Sequence, residues 1–253
     1  MRSFIPFAIV FILYSIFGAL PAFLFIGVAD TTWANIAYFL THFLFMIAVF
    51  IWYVKKNGYW DFLLKKQEIL LLGFSLILTV GTLFLLYILQ HYEHVFNAEL
   101  FVVRWYQVDS SAIIFDNIQI NNIAKPTLNI GPVLRGLICA PIFESILVLS
   151  LFQNKMYEKM PPYIAIIISA IVFALIHLNL SDIFGLFISG LLFGLVYYKS
   201  KNLTIPILCH FLWNFVATFL VFIPTQINGE SLIALLLVTI GFVVSLLYIL
   251  KYN

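Results

Sequence analysis

The sequence predicts an all-α fold, a polytopic membrane bundle of about eight transmembrane helices. Of the 253 residues, 64% are hydrophobic and only 9% are charged, whereas a soluble domain has roughly 25% charged residues. The apolar residues fall in runs of about 20, the helix length needed to cross roughly 30 Å of hydrocarbon. The net charge of +2, without any basic run, indicates no nucleic-acid partner. The expected surroundings are therefore the lipid bilayer.

The apolar runs give eight predicted spans in chain order. They cover 4–28, 33–54, 69–90, 132–153, 162–180, 183–199, 205–223 and 231–250. The first is too long for a signal-peptide core and has no small-residue cleavage site after it, so we expect it to be retained. The only long connection is 91–131, which is polar and includes a predicted interfacial helix around 100–108.

The distribution of basic residues predicts the orientation. When the connections are numbered alternately, ten of the 13 Lys and Arg residues fall on one side, which we call the lysine-rich end: Arg2, Lys55, Lys56, Lys65, Lys66, Lys155, Lys159, Lys199, Lys201 and Lys251. The other side has Arg104, Lys125 and Arg135. Cytoplasmic loops are enriched in Lys and Arg, so both termini are predicted to be cytoplasmic. The composition favours a bacterial cell membrane.

Four polar residues lie inside these spans: Glu144, His177, His210 and Asn214. A charged side chain at the bilayer centre costs about 2.5–3.5 kcal/mol on insertion scales, so an ionisable residue there is typically functional. His210 and Asn214 are four residues apart and share one helical face. Each residue could also be structural, since polar pairs join membrane helices by hydrogen bonds. Together they supply a base and hydrogen-bond donors, the groups needed to activate water against a carbonyl.

These residues stand in three motifs that resemble one family. The motifs are Pro141-Ile-Phe-Glu144, Phe173-x-x-x-His177 and His210-x-x-x-Asn214. Over 136–218 the chain is similar to the CPBP family, which includes intramembrane CAAX-type prenyl endopeptidases and bacteriocin-processing or immunity proteins. The resemblance divides the chain into N-terminal helices with the long loop (1–131), a core of catalytic type (132–223) and a C-terminal helix (224–253).

The first motif departs from the family pattern Glu-Glu-x-x-x-Arg. Ser145 replaces the second Glu and Leu149 replaces the Arg. These positions are four residues apart, where an acid and a guanidinium would pair within one helix. Losing one member of a buried pair costs about 3–5 kcal/mol, but losing both can be nearly neutral. The chemistry of Glu144 could therefore survive, or the site could have lost catalysis.

The resemblance implies a role for each residue. Glu144 would be the general base that deprotonates a water, His177 would orient that water, and His210 and Asn214 would donate hydrogen bonds to the oxyanion. No cofactor is expected. Zinc is the chemical alternative, because Glu144, His177 and His210 could form a three-ligand set, although the chain has no His-Glu-x-x-His spacing.

The first hypothesis is an intramembrane endopeptidase that acts on a peptide or a membrane-associated protein. The second is a catalytically inactive immunity or scaffold protein of the same fold, and the third is a small transporter, although no paired Gly/Pro-interrupted spans support it. Residue counts place His210 and His177 about 15 Å apart in depth. We therefore expect the span boundaries to move and the four residues to converge on a cavity open to the cytoplasm. Oligomeric state is not predicted.

Overall fold

The structure is a computed structural model that describes residues 4–24, 31–90, 113–120, 123–128, 130–177, 179, 182–220 and 229–252. These residues form eight helices, and each predicted span falls on one of them. They are α1 (Ile5–Leu24), α2 (Thr31–Asn57), α3 (Glu68–Gln90), α4 (Ile130–Tyr157), α5 (Pro162–Ile176), α6 (Ile183–Ser200), α7 (Thr204–Leu220) and α8 (Gly229–Lys251). The predicted all-α fold is therefore confirmed.

Four helical segments are long and apolar enough to cross a membrane. They are Asn35–Asn57, Glu68–Tyr87, Ile130–Tyr157 and Ile183–Ser200. Shorter apolar segments lie in α1, α5, α7 and α8. The chain is accordingly a multi-pass membrane protein.

The long connection between α3 and α4 adds one feature that was not predicted. β1 (Ile113–Ile120) and β2 (Ile123–Leu128) form a two-stranded antiparallel sheet in which Ile113 lies opposite Leu128. The hairpin ends two residues before α4 begins. The interfacial helix predicted around 100–108 lies outside the described residues.

Helix α1 runs antiparallel to α4, whereas α2 runs parallel to it. The Tyr14 ring of α1 stacks on Phe143 with 4.0 Å between ring centroids. Along α2, the Tyr53 hydroxyl lies 2.6 Å from Ser150 Oγ, while at the other end the backbone carbonyl of Asn35 approaches Gly131. A Cβ added to Gly131 would lie only 2.4 Å from that oxygen, so only glycine fits there. These contacts set the depth of α4 along its length.

Small residues on α6 allow close packing. A Cβ on Gly190 would lie 2.9 Å from the Ala170 Cα of α5, and one on Gly194 would lie 2.8 Å from Gln153 Oε1 of α4. The Gln153 amide in turn donates to the Gly194 carbonyl at 2.9 Å. Helix α6 therefore packs closely against both α4 and α5.

The basic connections meet at one end of the bundle, as alternation requires. The Lys201 ammonium lies over the rings of Tyr157 and Tyr198, at 4.7 and 4.3 Å. Lys199 donates to the last carbonyls of the chain at Leu250 and Tyr252. The grouping of these residues at the lysine-rich end is therefore seen in the fold, while the side of the membrane it faces stays a prediction.

The predicted depth conflict between His177 and His210 disappears because α5 and α7 start at different levels. The turn between α2 and α3 folds inward, and the Leu203 amide just before α7 donates to its Asp61 carbonyl at 2.6 Å. Asp61 also accepts from Tyr53, which contacts Ser150. Helix α7 thus begins near the level of Ser150. This is seven residues, or about 10 Å at 1.5 Å per residue, inside the end of α4.

Candidate active site around Glu144

Glu144 lies in the middle of α4, where the helix changes its winding twice. Residues Arg135–Cys139 and Ser145–Gln153 are π-helical, and Glu144 ends the α-helical turn between them. Insertions of this kind in membrane and soluble helices are frequent at functional sites. The Glu144 side chain is buried, with 5% of the residue surface exposed.

Two histidines from different helices approach the same carboxylate oxygen. His177 Nε2 lies 3.5 Å and His210 Nε2 lies 3.8 Å from Glu144 Oε2. Three of the four predicted site residues therefore meet around one atom, although they come from α4, the end of α5 and α7. Each of these distances is longer than a direct hydrogen bond.

The orientation of His177 is fixed by the helix that precedes it. The residue follows the last turn of α5, and its Nδ1 lies 2.7 Å from the Phe173 carbonyl oxygen. A carbonyl only accepts hydrogen bonds, so Nδ1 carries the hydrogen. Nε2 of the neutral ring is then an acceptor that faces Glu144. The Phe173-x-x-x-His177 spacing produces this arrangement, because a residue four positions back supplies the carbonyl.

His210 is held by aromatic rings rather than by hydrogen bonds. Its ring stacks on Phe193 with 4.7 Å between centroids and meets the edge of Phe173 at 5.6 Å. Nδ1 is buried, with no hydrogen-bond partner among the described residues. The tautomer with hydrogen on Nε2 therefore suits this site, and it directs a donor toward Glu144.

Asn214 does not join the three residues around the carboxylate. Its side-chain amide nitrogen donates to the backbone carbonyl of Gly136 at 2.7 Å. Gly136 belongs to the first π-helical stretch of α4, eight residues before Glu144. The oxyanion role that the sequence suggested for Asn214 stays a prediction.

A cavity of about 440 Å³ reaches Glu144 and His177. It is lined by residues of α1, α2, α4 and the α5–α6 turn: Phe11, Tyr14, Ser15, Tyr38, His42, Arg135, Phe143, Glu144, Leu147, Ile176, His177, Asn179, Asp182 and Leu186. From Glu144 these residues extend away from the lysine-rich end. The expectation that the cavity opens to that end is therefore wrong. The misplacement arose because the depths of α5 and α7 were counted from equal starting levels.

His210 lies on the closed side of the carboxylate. It lines a second, narrow void with Phe193, Gly190 and the first residues after Glu144, and this void is too small for a water molecule. The two histidines thus face Glu144 from different sides, His177 from the cavity and His210 from the packed interior.

Arg135 is the functional candidate that sequence reasoning missed. The sequence placed it at the entrance of its span, but it lines the same cavity as Glu144. Its Nη2 and Nε donate to the Tyr14 hydroxyl at 3.0 and 3.3 Å, and its guanidinium lies 5.9 Å from the centre of the Tyr38 ring. The signal was present, because a cation within a predicted span is costly unless it has partners or a function.

Ser145 and Leu149 replace the second Glu and the Arg of the family motif without leaving a charge behind. Both are buried, at 3% exposure, in the narrow void on the closed side of Glu144. Ser145 Oγ has no hydrogen-bond partner among the described residues. This chain therefore has buried, neutral side chains at both positions.

The described residues contain no group of three or more His, Cys, Asp or Glu side chains placed to hold a metal ion. Cys139 and Cys209 are fully buried in the core and lie outside the cavity.

Comparison with known proteins points to the same part of the chain. Residues 126–216, which contain all three motifs, match the family model described as "Type II CAAX prenyl endopeptidase Rce1-like". The matched segment, which is less than half of the chain, is similar to this family of endopeptidases. A Bacillus subtilis (strain 168) protein named "Putative membrane peptidase YdiL" is 29% identical over 77 residues, 30% of this chain and 32% of that protein. The match to this relative thus spans about a third of its length. No solved structure matches the chain.

Proposed function

We propose that the protein is an intramembrane endopeptidase of the CAAX type that hydrolyses a peptide bond with a water activated by Glu144. The observation that supports this most directly is the pairing of a buried carboxylate with His177 at the inner end of a cavity. The family match supports the reaction class.

In this mechanism a water lies between Glu144 and His177. Both groups accept hydrogen bonds, so one water can donate a hydrogen to each while its lone pair faces the peptide carbonyl. Glu144 takes the proton as the oxygen–carbon bond forms. It then returns the proton to the amine as the carbon–nitrogen bond breaks. A base in such a position contributes about 10²–10⁴ to the rate.

His210 contributes a hydrogen-bond donor to Glu144 from the packed side of the carboxylate. Its Nε2–H faces Glu144 Oε2 at 3.8 Å, so it stabilises the carboxylate before the reaction. The resemblance implies an oxyanion role for His210, for which its Nε2–H would have to turn from Glu144 toward the substrate carbonyl in the cavity. Deleting one such donor costs about 2.7–4 kcal/mol, or 10²–10³ in rate.

The position of the cavity indicates the source of the substrate. Cytoplasmic ends of membrane proteins are rich in Lys and Arg, and the cavity extends from Glu144 toward the opposite end. We therefore propose that the substrate is an exported peptide, or a membrane protein segment, that enters from outside the cytoplasm of a bacterial cell.

Labelling from outside intact cells tests this orientation. With Cys139 and Cys209 replaced by Ala, a cysteine at Asn179, in the cavity, is expected to react with a membrane-impermeant maleimide. A cysteine at Lys155, at the lysine-rich end, is expected to react only after the cells are opened. The reverse pattern would contradict the proposed entry side.

Purified protein in lipid vesicles tests the activity itself. A library of internally quenched peptides is expected to be cleaved by wild type and by Glu158→Gln, since Glu158 is an exposed acid paired with Lys155 outside the cavity. Glu144→Gln keeps the shape and is expected to reduce cleavage by about 10²–10⁴. Equal cleavage by Glu144→Gln would exclude Glu144 as the base.

The zinc alternative has its own test. If Glu144, His177 and His210 bound zinc, dialysis against a strong chelator would abolish peptide cleavage and added zinc would restore it. We expect cleavage to persist after chelation, because the described residues contain no group of three or more His, Cys, Asp or Glu side chains placed to hold a metal ion.

A catalytically inactive binding protein, such as a bacteriocin-immunity or scaffold factor, is the second candidate. Ser145 and Leu149 favour it, since both stand where the family motif has charged residues. In that case Glu144→Gln would preserve function in cells, because the amide keeps the size and the hydrogen bonding of the acid.

A further inference from the structure

We propose that Asn214 is a positioning residue, which supplies to α4 the backbone hydrogen bond that Pro141 removes and thereby sets the direction of Glu144. This inference rests on the proposed function only for its effect on turnover. The effect on the stability of α4 follows from the geometry alone.

The first step concerns the proline. Pro141 lies inside α4, three residues before Glu144, and has no backbone N–H. A proline inside a helix removes one hydrogen bond, and its ring crowds a carbonyl of the preceding turn. Helices relieve such crowding by local widening, and the stretch immediately before Pro141 is π-helical.

The second step identifies the carbonyl that loses its donor. The N–H of Ala140, just before the proline, bonds to the Arg135 carbonyl five residues back. The same spacing advanced by one residue pairs position 141 with Gly136. Because Pro141 cannot donate, the Gly136 carbonyl has no partner from its own helix at that position.

The third step is the replacement. The Asn214 amide nitrogen of α7 lies 2.7 Å from the Gly136 carbonyl oxygen. A backbone acceptor inside an apolar bundle needs a donor, and Asn214 supplies one from a neighbouring helix. Its geometry is that of a short, direct hydrogen bond.

The consequence for the site follows from the spacing on α7. His210 and Asn214 are one turn apart, and both face α4, His210 toward Glu144 and Asn214 toward Gly136. Two contacts at different heights prevent α4 from rotating about its axis against α7. Since Glu144 lies between the two π-helical stretches, this restraint determines where its carboxylate is directed.

A mutant cycle on the full chain in lipid or detergent tests the proposal. Asn214→Ala is expected to lower the Tm by about 3–8 °C and kcat by about tenfold, with KM little changed. Pro141→Ala restores an N–H for Gly136. In the double variant the Tm should therefore lie within about 1 °C of that of Pro141→Ala alone, with kcat recovered to within about threefold.

Pro206→Ala serves as the control, because Pro206 lies in the first turn of α7, where a helix needs no N–H donor. It is expected to rescue neither quantity. Should Pro141→Ala fail to fold, Pro141→Val restores the same N–H. The proposal is overturned if Asn214→Ala lowers kcat by about 10²–10³ in both backgrounds at unchanged Tm, as an oxyanion donor would. It is also overturned if the change in Tm of the double variant equals the sum of the changes in Asn214→Ala and Pro141→Ala. The Tm measurements need no substrate, so they test the proposal even if the protein proves not to be a protease.

Discussion

The two ends of the bundle use polar residues in different ways. At the lysine-rich end, buried polar groups are paired with one another. Asn202 donates to Leu63 and Glu68 and accepts from the Thr204 amide, and the Tyr53 hydroxyl contacts Asp61 and Ser150. In the other half, Glu144, His177 and Arg135 surround a cavity of about 440 Å³. Polar groups that border a cavity are arranged for a ligand, whereas those at the lysine-rich end are arranged for each other.

The difference shows how the fold positions the reacting groups. The paired polar groups determine where α7 begins, and its depth brings His210 level with Glu144. A bundle held together by apolar contacts alone would let helices slide, since lipid is as apolar as their surfaces. The lysine-rich end therefore serves as a fixed base for the half that we propose to be catalytic.

The largest effect is expected from a substitution in the half of the bundle that contains the cavity. His177→Ala removes the acceptor that orients the water, and we expect kcat for peptide cleavage to fall by about 10²–10³, the range for a positioned catalytic group. His42→Ala is the matched control, since His42 lines the same cavity and its Nδ1 also donates to a carbonyl one turn back, that of Tyr38. Cleavage assays should show less than a threefold change for His42→Ala. Equal losses in the two variants would contradict a special role for His177.

The next largest effect is expected from a substitution that removes hydrogen bonds at the lysine-rich end. Asn202→Ala deletes the hydrogen bonds to Leu63, Glu68 and Thr204 at a buried site, so we expect a loss of about 2–3 kcal/mol in stability. Asn57→Ala, which deletes one side-chain bond from the exposed residue Asn57 to the Tyr53 carbonyl, is expected to change stability by less than about 0.5 kcal/mol. Thermal unfolding in detergent measures both. A stable Asn202→Ala protein would show that α7 is positioned by other contacts.

The smallest effect is expected from glycine substitutions, which test how closely the helices pack between the two halves. Gly194→Ala places a Cβ 2.8 Å from Gln153 Oε1, and we expect overpacking to cost about 1–2 kcal/mol. A Cβ on Gly73, on α3, meets nothing within 4 Å. Gly73→Ala should therefore stabilise the helix by up to about 1 kcal/mol. A gain of stability in both variants would indicate that helix propensity, rather than close packing, decides these positions.

The sequence predicted the spans well because each apolar run is long and ends at charged or turn-forming residues. It also indicated Glu144, His177 and His210, since ionisable groups in apolar runs are rare. It could not give the depth of α7, which depends on Asn202 and Glu68 meeting across more than a hundred residues of chain. The hairpin of β1 and β2 was not expected because the connection that contains it has no clear alternation of polar and apolar residues.

The bond between Asn214 and Gly136 illustrates the same limit. A proline at position 141 shows that one backbone N–H donor is missing inside α4. Only the packing of α7 against α4 shows that Asn214 replaces that donor. The position of Arg135 in the same cavity as Glu144 also depends on packing, because α1 and α2 close that cavity around both residues. The proposed division into 1–131, 132–223 and 224–253 stays a prediction.

The most direct test of the central claim compares cells that produce wild type and Glu144→Gln at matched levels, with every protein N-terminus mapped by mass spectrometry. The account predicts new N-termini in exported or membrane proteins with wild type, and their loss with Glu144→Gln while the variant remains folded and abundant. The same new termini in both cells would contradict a reaction that depends on Glu144.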